Sequence, residues 1–213
     1  MATGRRACLL GPACPSLAAT FLFRMPAQTL VPPAAAPLRP AYDGPVTWAD
    51  VCADPLLQDL PFKIELDRFG RILMSPASTR HSRAQGQIAR LLEGELGGEA
   101  FPECAIQTPE GVRVPDVVWM SDVFAAALAA DVETLAAAPE ICVEVRSKSN
   151  LWGEMEEKIR IFLAAGAHEV WVCEVDGQMR FFDAAGERPA STLAPGFPSA
   201  VPLPDTTSAT PRP

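Results

Sequence analysis

Two carboxylates inside apolar segments are the residues of this sequence that most strongly suggest chemistry. Asp116 lies within the strand-like segment 112–119, and Glu144 lies within 141–146. A carboxylate in such surroundings is costly to bury unless a cation or a hydrogen-bond donor meets it. Each residue alone has a structural explanation, Asp116 as a turn residue and Glu144 as an edge-strand partner of Arg146. Together, two converging carboxylates predict a site for a hard, oxygen-preferring cation such as Mg²⁺.

A lysine on the following helix provides a third candidate. Residues 152–165 show the periodicity of an amphipathic helix, in which Met155, Ile159 and Phe162 share one face. Lys158 falls on the edge of that apolar face. Its side chain can extend to water along the helix surface. Because the helix follows the Glu144 strand through a short loop, Lys158 can alternatively pack over the same sheet and reach a phosphate or a water held by the two carboxylates.

The elements that must position these residues follow from hydrophobic patterning. In chain order, the pattern predicts a hairpin (62–66 with 71–74), a helix (80–96) and two strands (103–107 and 112–119). These are followed by an alanine-rich segment that is helix or loop (122–137), a β-α-β unit (141–175) and a final strand (178–183). This order predicts an α/β fold, with a mixed β-sheet flanked by helices and an N-terminal β-hairpin.

Proline divides the chain into three parts. Fifteen of the 22 prolines lie in residues 1–45 and 188–213. The sequence therefore predicts a proline- and alanine-rich flexible arm over 1–45, a folded domain over 46–187 and a proline-rich tail over 188–213. We expect neither arm to contribute to the core. Residues 1–23 weakly resemble a signal peptide, but prolines interrupt the apolar stretch, and Met25 is an equally suitable start.

Charge and cysteine content narrow the functional classes. The net charge of −8 and the pI of about 4.8 argue against tight, sequence-independent binding to duplex DNA, which needs a basic surface. They do not argue against an enzyme that meets a phosphodiester through a metal ion. The six cysteines show neither a CxxC pair nor a zinc-ligand spacing, which favours reduced thiols and a cytoplasmic location. No stretch reaches the roughly 20 apolar residues of a membrane-spanning helix, so we expect no membrane partner.

Several of these residues also occur in an order typical of a nuclease family. Pro115-Asp116 followed by Glu144-x-Arg146 resembles the PD-(D/E)XK nuclease signature. Over about residues 60–183 the chain more specifically resembles the Uma-two family of restriction endonuclease-like proteins. The matching segments are Ile64-Glu65-Leu66, Ile72-Leu73-Met74-Ser75-Pro76, Arg80-His81, Pro115-Asp116-Val117, Ile141-Cys142-Val143-Glu144-Val145, Ser147-x-Ser149-Asn150, Glu157-Lys158, Ala165-Gly166-Ala167 and Glu169-Val170-Trp171-Val172.

The resemblance implies a restriction-endonuclease-like core in which Asp116 and Glu144 bind Mg²⁺ or Mn²⁺. Where the broad signature has a lysine, this chain has Arg146. Relatives that lack this lysine use one from the following helix, which here is Lys158, and Lys148 in the intervening loop is an alternative. Arg146 can clamp a phosphate but cannot act as a base, because it does not deprotonate in proteins.

Two further residues are weaker candidates. Glu65 is either another acid of the metal site or the surface partner of Lys63, which lies on the same strand face. His81 either contacts the phosphate, orients a water or packs locally at the start of its helix.

Three functions are compatible with these residues. The first is a metal-dependent DNA endonuclease, with DNA as the substrate and a symmetric homodimer as a reasonable assembly. The alternative is a catalytically silent nuclease-fold module that binds nucleic acid or protein. A third is an α/β protein in which the buried carboxylates are structural. Cleavage with Mg²⁺ or Mn²⁺, compared with a chelator, separates the first two. A crystal soak that shows no metal between Asp116 and Glu144 would favour the third.

Overall fold

The computed structural model describes residues 44–76 and 78–203, which belong to one compact unit. Almost all of the predicted N-terminal arm over 1–45 lies outside the described residues, as does the end of the predicted tail, 204–213.

The described residues form four helices and ten strands. In chain order these are α1 (Trp48–Ala53), β1 (Phe62–Leu66), β2 (Ile72–Pro76), α2 (Thr79–Leu96), β3 (Glu99–Pro102), β4 (Ile106–Thr108), β5 (Gly111–Arg113), β6 (Val117–Met120), α3 (Asp122–Ala126), β7 (Ile141–Val145), α4 (Trp152–Ala164), β8 (Glu169–Cys173), β9 (Met179–Asp183) and β10 (Gly186–Arg188). No helix in this part of the chain is both long and apolar enough to cross a membrane.

A six-stranded mixed sheet forms the centre of the molecule. Its strand order is β10-β9-β8-β7-β6-β3. Strands β7 and β8 are parallel and joined through α4, as the β-α-β pattern predicts, whereas the other neighbours are antiparallel. The hairpin β1–β2 and the pair β4–β5 form two small separate sheets. The predicted mixed sheet with flanking helices and an N-terminal hairpin is therefore confirmed.

Side-chain alternation along β7 divides the core into two layers. Val143 and Val145 point towards α2, into a cluster that contains Ile88 and Leu92. Cys142 points towards α4, into a cluster that contains Met155 and Phe162. Because successive side chains of a strand face opposite sides, Glu144 shares the α4 side with Cys142. This parity places a carboxylate beneath the helix that carries Lys158.

Two predicted strands are wrong in their boundaries. The segment 112–119 is divided into β5 and β6, because Pro115 cannot donate a ladder hydrogen bond. Strand 103–107 is replaced by β3 and β4, since the chain turns at Glu103, whose φ of 58° is rare in a strand. Within the alanine-rich segment 122–137, the helix is restricted to the five residues of α3. The division of 112–119 matters for function, because it places Asp116 in a turn immediately before β6.

The predicted limit of the domain at residue 187 is also wrong. Ala194, Phe197 and Val201 are buried and belong to the core layer under α2. Glu169 anchors this segment, since its carboxylate accepts hydrogen bonds from the Ser191 hydroxyl and from the Thr192 hydroxyl and backbone N–H. The folded domain therefore extends to at least residue 201, and its prolines interrupt regular structure without preventing burial.

Candidate active site

Asp116 is held by the backbone of the neighbouring strand. Its side chain is 1% exposed, and its Oδ2 accepts a hydrogen bond of 2.7 Å from the backbone N–H of Val145. Because Asp116 directly precedes β6, and β6 pairs with β7, the turn directs the carboxylate towards the end of β7. The buried Asp116 is therefore positioned by the main chain of the strand that also carries Glu144.

Glu144 is buried in β7, which lies between β6 and β8, so the alternative explanation of Glu144 as an edge-strand partner of Arg146 is wrong. Its Oε2 accepts a hydrogen bond of 2.9 Å from Lys158 Nζ. Its Oε1 is buried and has no hydrogen-bond partner among the described residues. Lys158 thus packs over the sheet towards Glu144, and one carboxylate oxygen remains free to bind a cation or a donor.

Lys63 is a site residue that the sequence interpretation missed. Its Nζ lies 2.5 Å from Asp116 Oδ1 and 3.9 Å from Glu144 Oε2. Lys63 thus bridges the two acids. The alternation of the hairpin strand already placed Lys63 and Glu65 on one face. The missing information was that this face packs against the acids instead of facing solvent.

The two weaker candidates have different environments. His81 lies in the first turn of α2, which Ser78 caps, and its Nε2 is 3.0 Å from Asp116 Oδ2. Glu65 is buried, and its Oε1 accepts a hydrogen bond of 2.8 Å from the backbone N–H of Val114. The structure therefore places His81 in contact with the buried Asp116. Glu65 instead anchors the segment that leads into Asp116, and the surface ion pair that we considered for Glu65 is wrong.

Arg146 and Lys148 lie beside the acids and not between them. Arg146 donates to Glu174 at 2.9 Å and to the backbone carbonyl of Asn150 at 3.3 Å. Lys148 is exposed in the loop before α4. Both residues line a neighbouring cleft of about 200 Å³, together with Arg80 and His81. Arg146 therefore pairs with Glu174 instead of Glu144, and from this position it can still contact a bound phosphate.

Burial and charge shift the protonation equilibria of this cluster. Burial raises the pKa of Glu144 to about 7, although Lys158 and Lys63 oppose the shift. Burial also acts to raise the pKa of Asp116, but Lys63 and His81 outweigh it and hold that pKa well below its usual range. Burial alone would lower the pKa values of Lys63 and Lys158, whereas the carboxylates, Glu144 foremost, raise both. Asp116 is consequently ionised at neutral pH, whereas Glu144, with its pKa of about 7, titrates close to neutral pH.

These groups line a cleft of about 290 Å³ that is open to solvent. The two acids, the two lysines and His81 lie on its wall with further polar residues, namely Ser75, Ser78, Ser82, Gln85, Glu103, Ser147, Ser149 and Asn150. Gln85 Nε2 is buried without a hydrogen-bond partner among the described residues. The cleft therefore offers both cationic and neutral donors to a phosphate-sized ligand.

The donor set fits a hard divalent cation. The described residues contain no group of three or more His, Cys, Asp or Glu side chains with the geometry of a metal site. Mg²⁺, however, usually keeps several waters and is bound through one or two carboxylates plus substrate phosphate. Asp116 and Glu144 supply two carboxylates, and the unpartnered Glu144 Oε1 is an oxygen that a cation would satisfy. The residues therefore fit Mg²⁺ or Mn²⁺ bound at low protein coordination.

Comparison with known proteins assigns this arrangement to a family. A family model for Uma2, described as "Putative restriction endonuclease", matches residues 54–182, which is more than half of the chain. The chain belongs to the Uma2 family. This membership supports a nuclease-like function. The matched range contains Lys63, Asp116, Glu144 and Lys158, so the whole cluster lies within the Uma2 domain.

A solved structure is similar to the same domain. It is described as a "putative nuclease belonging to DUF820 from Anabaena variabilis ATCC 29413", and the TM-score is 0.57 at 17% identity. The match covers 70% of this chain and 92% of that chain, and it supports the restriction-endonuclease-like fold. No curated protein sequence matches the chain.

Proposed function

We propose that this protein is a metal-dependent DNA endonuclease that hydrolyses phosphodiester bonds. The observation that carries the proposal is the convergence of two buried carboxylates and the Lys158 ammonium at one cleft of a Uma2 domain. Carboxylates at this density are expensive to bury, and Glu144 Oε1 has no hydrogen-bond partner within the part of the chain that the structure describes. These features are typical of a binding site and unusual in a purely structural core.

Asp116 and Glu144 would hold Mg²⁺ or Mn²⁺, which supplies Lewis-acid chemistry to the phosphate and to the attacking water. The chain itself contributes preorganisation. The Val145 N–H fixes the Asp116 carboxylate at 2.7 Å, and the Lys158 ammonium holds the Glu144 carboxylate at 2.9 Å. Neither acid needs to reorient when the substrate binds, which is the condition for efficient electrostatic stabilisation.

Lys158 is the group best placed to stabilise charge on the phosphate. It extends from a regular helix, its side chain is 24% exposed, and its Nζ is fixed at 2.9 Å from Glu144. A cation in this position faces both the acids and the cleft. Lys148 is exposed in a loop, where fixing a hydrated ammonium costs side-chain entropy. We therefore assign the signature lysine's role to Lys158, and binding of a neighbouring phosphate to Arg146 and Lys148.

A catalytically silent module that binds nucleic acid or protein is the second candidate. The observation that favours it is the Lys63 ammonium, which already neutralises part of the charge of Asp116 and Glu144. In such a module the ion-pair cluster would be structural and the basic residues of the adjacent cleft would bind the ligand.

Cleavage of DNA by the full chain separates the two candidates. We expect supercoiled plasmid to be nicked or linearised with Mg²⁺ or Mn²⁺ and to remain intact with a chelator. Asp116→Asn and Glu144→Gln should abolish cleavage, whereas Asp131→Asn, which removes an exposed loop carboxylate, should cut normally. Binding of DNA without cleavage under any metal condition would favour the silent module. Equal cleavage by wild type and Glu144→Gln would refute the proposed site.

The proposal extends to the cellular compartment and the assembly of the enzyme. Cys52, Cys104, Cys142 and Cys173, the cysteines within the described residues, are all free thiols, which supports a reducing compartment such as the cytoplasm. A homodimer would allow both strands of a duplex to be cut, and sedimentation of the protein with and without DNA measures it.

A further inference from the structure

The Lys63 ammonium occupies the position at which a cation would bind the two acids. It lies 2.5 Å from one oxygen of Asp116 and 3.9 Å from one oxygen of Glu144, and its side chain is 10% exposed. Lys158 differs, because its ion pair within 4 Å is with Glu144. Lys63 is therefore the cation that joins the two carboxylates in this structure.

The Asp116 oxygens that are still able to bind a metal ion show why Lys63 would interfere with metal binding. Asp116 Oδ2 accepts the Val145 N–H and lies 3.0 Å from His81 Nε2, so Oδ1 is the Asp116 oxygen with remaining acceptor capacity. Oδ1 is the atom that Lys63 contacts. A divalent cation bound to it would lie within a few ångströms of the ammonium, in a buried setting where like charges repel strongly.

We propose that Lys63 is a built-in counter-ion that a divalent metal ion must displace in order to bind Asp116 and Glu144. This inference rests on the proposed metal-dependent function and specifies how its site is controlled. The ammonium stabilises the two acids without metal and lowers the affinity of the site for metal by competition. Because a ligand must first overcome the competing interaction, removal of the Lys63 charge tightens metal binding.

The surroundings of Lys63 provide a destination for the displaced side chain. Lys63 lines the acidic cleft and also an adjacent cleft of about 250 Å³ on the side of α1. Glu103 lines both clefts as well, and it is exposed at the turn between β3 and β4. The lysine stem has four rotatable bonds, so the ammonium can exchange Asp116 for Glu103 without movement of β1. Glu103 therefore favours the metal-bound state by receiving Lys63.

Titration of the full chain with Mn²⁺ alone, followed by isothermal calorimetry, tests the displacement. We expect Lys63→Met to bind Mn²⁺ at least tenfold more tightly than wild type. Arg90→Met removes the same charge from an exposed position of α2 that lines neither cleft, and it should change the affinity less than threefold. Unchanged or weaker binding by Lys63→Met, with wild type still binding, would overturn this inference and leave the proposed function intact. Absence of binding in wild type and Lys63→Met alike would overturn both.

Glu103→Gln tests whether Glu103 receives the displaced Lys63 side chain, and it leaves Lys63 and Asp116 unchanged. We expect it to weaken Mn²⁺ binding about threefold in the wild-type background and to have no effect in the Lys63→Met background, because its action requires Lys63. An equal loss in both backgrounds would show that Glu103 acts on the metal directly and would overturn the exchange. No loss in the wild-type background would overturn it too.

Discussion

Replacement of Lys158 by alanine is the most informative test of the site. The Lys158 ammonium is fixed 2.9 Å from Glu144 and faces the cleft. Two unit charges about 4 Å apart interact by about 4 kcal/mol at an effective dielectric constant of 20. The phosphate gains only part of a unit charge in the transition state, so the lysine should contribute roughly 3 kcal/mol. We therefore expect Lys158→Ala to lower turnover by about a hundredfold or more.

Single-turnover cleavage of supercoiled plasmid measures this effect apart from product release. Loss of Lys158 also removes a cation that opposes protonation of Glu144, whose pKa burial already raises to about 7. The assay therefore belongs at about pH 9 as well as pH 7.5, because a larger fraction of Glu144 is ionised at the higher pH. A hundredfold loss that is the same at both pH values arises from the missing charge at the phosphate, whereas a loss that shrinks at the higher pH arises from protonation of Glu144.

The other two basic residues serve as comparisons. Lys148→Ala should lower turnover less than tenfold, because its ammonium is exposed in a loop. Arg146→Ala should mainly raise KM, since the side chain pairs with Glu174 and lies beside the acids. A dead Lys148→Ala together with a Lys158→Ala enzyme that cuts normally would refute the assignment of Lys158. Normal cutting by both variants would also refute it and would leave Lys63 as the remaining lysine at the two acids.

Three further predictions concern metal, pH and the C-terminal segment. Mn²⁺ should raise the melting temperature of wild type but not of Asp116→Asn/Glu144→Gln, because a ligand stabilises only a state that binds it. An equal rise for wild type and the double variant in a thermal-shift assay would refute the proposed metal site. Mn²⁺ affinity should fall about tenfold for each pH unit below about 7, since Glu144 must lose its proton to bind metal. Calorimetry at pH 6, 7 and 8 measures this dependence, and an affinity that does not change with pH would mean that Glu144 is not a ligand. Truncation after residue 187 should lower the melting temperature by about 10 °C or more, because Phe197 and Val201 each contribute roughly 1.5–3 kcal/mol of burial. An unchanged melting temperature would show that this segment does not stabilise the domain.

Local patterning was sufficient to predict the two acids and Lys158. Alternation placed Glu144 on one side of its strand, which the structure shows to face α4, and helical periodicity placed Lys158 on the edge of the apolar face of that helix. Both are properties of single elements, and the β-α-β connection is short enough to bring them together. The convergence of Glu144 and Lys158 therefore required no knowledge of distant contacts, whereas Asp116 joins them through the pairing of β6 with β7.

Lys63 could not be placed in the same way, because its position depends on how the hairpin packs. The hairpin forms its own small sheet, and its buried Leu66 packs with Val112 and Val51 in a separate cluster. No pattern within residues 62–76 specifies this contact, which joins segments about 45 residues apart. The C-terminal segment escaped prediction for a related reason. Its apolar residues follow no period, and Glu169 and its donors are more than 20 residues apart.

The distribution of charge in the folded protein explains how an acidic chain can accommodate a phosphodiester. The net charge of −8 describes the whole surface, whereas the cleft combines Asp116 and Glu144 with Lys63, Lys158 and His81. Association with DNA depends on the few cations near the path of the strand, because each neutralised phosphate releases condensed counter-ions. Besides Lys158, the nearby candidates are Arg80, Arg146 and Lys148 in the adjoining cleft. With so few contacts the affinity for DNA should depend on salt less steeply than that of a protein with about six to ten phosphate contacts. In the proposed enzyme, specificity for the cleaved phosphate would come mainly from the buried acids and the metal that they would hold.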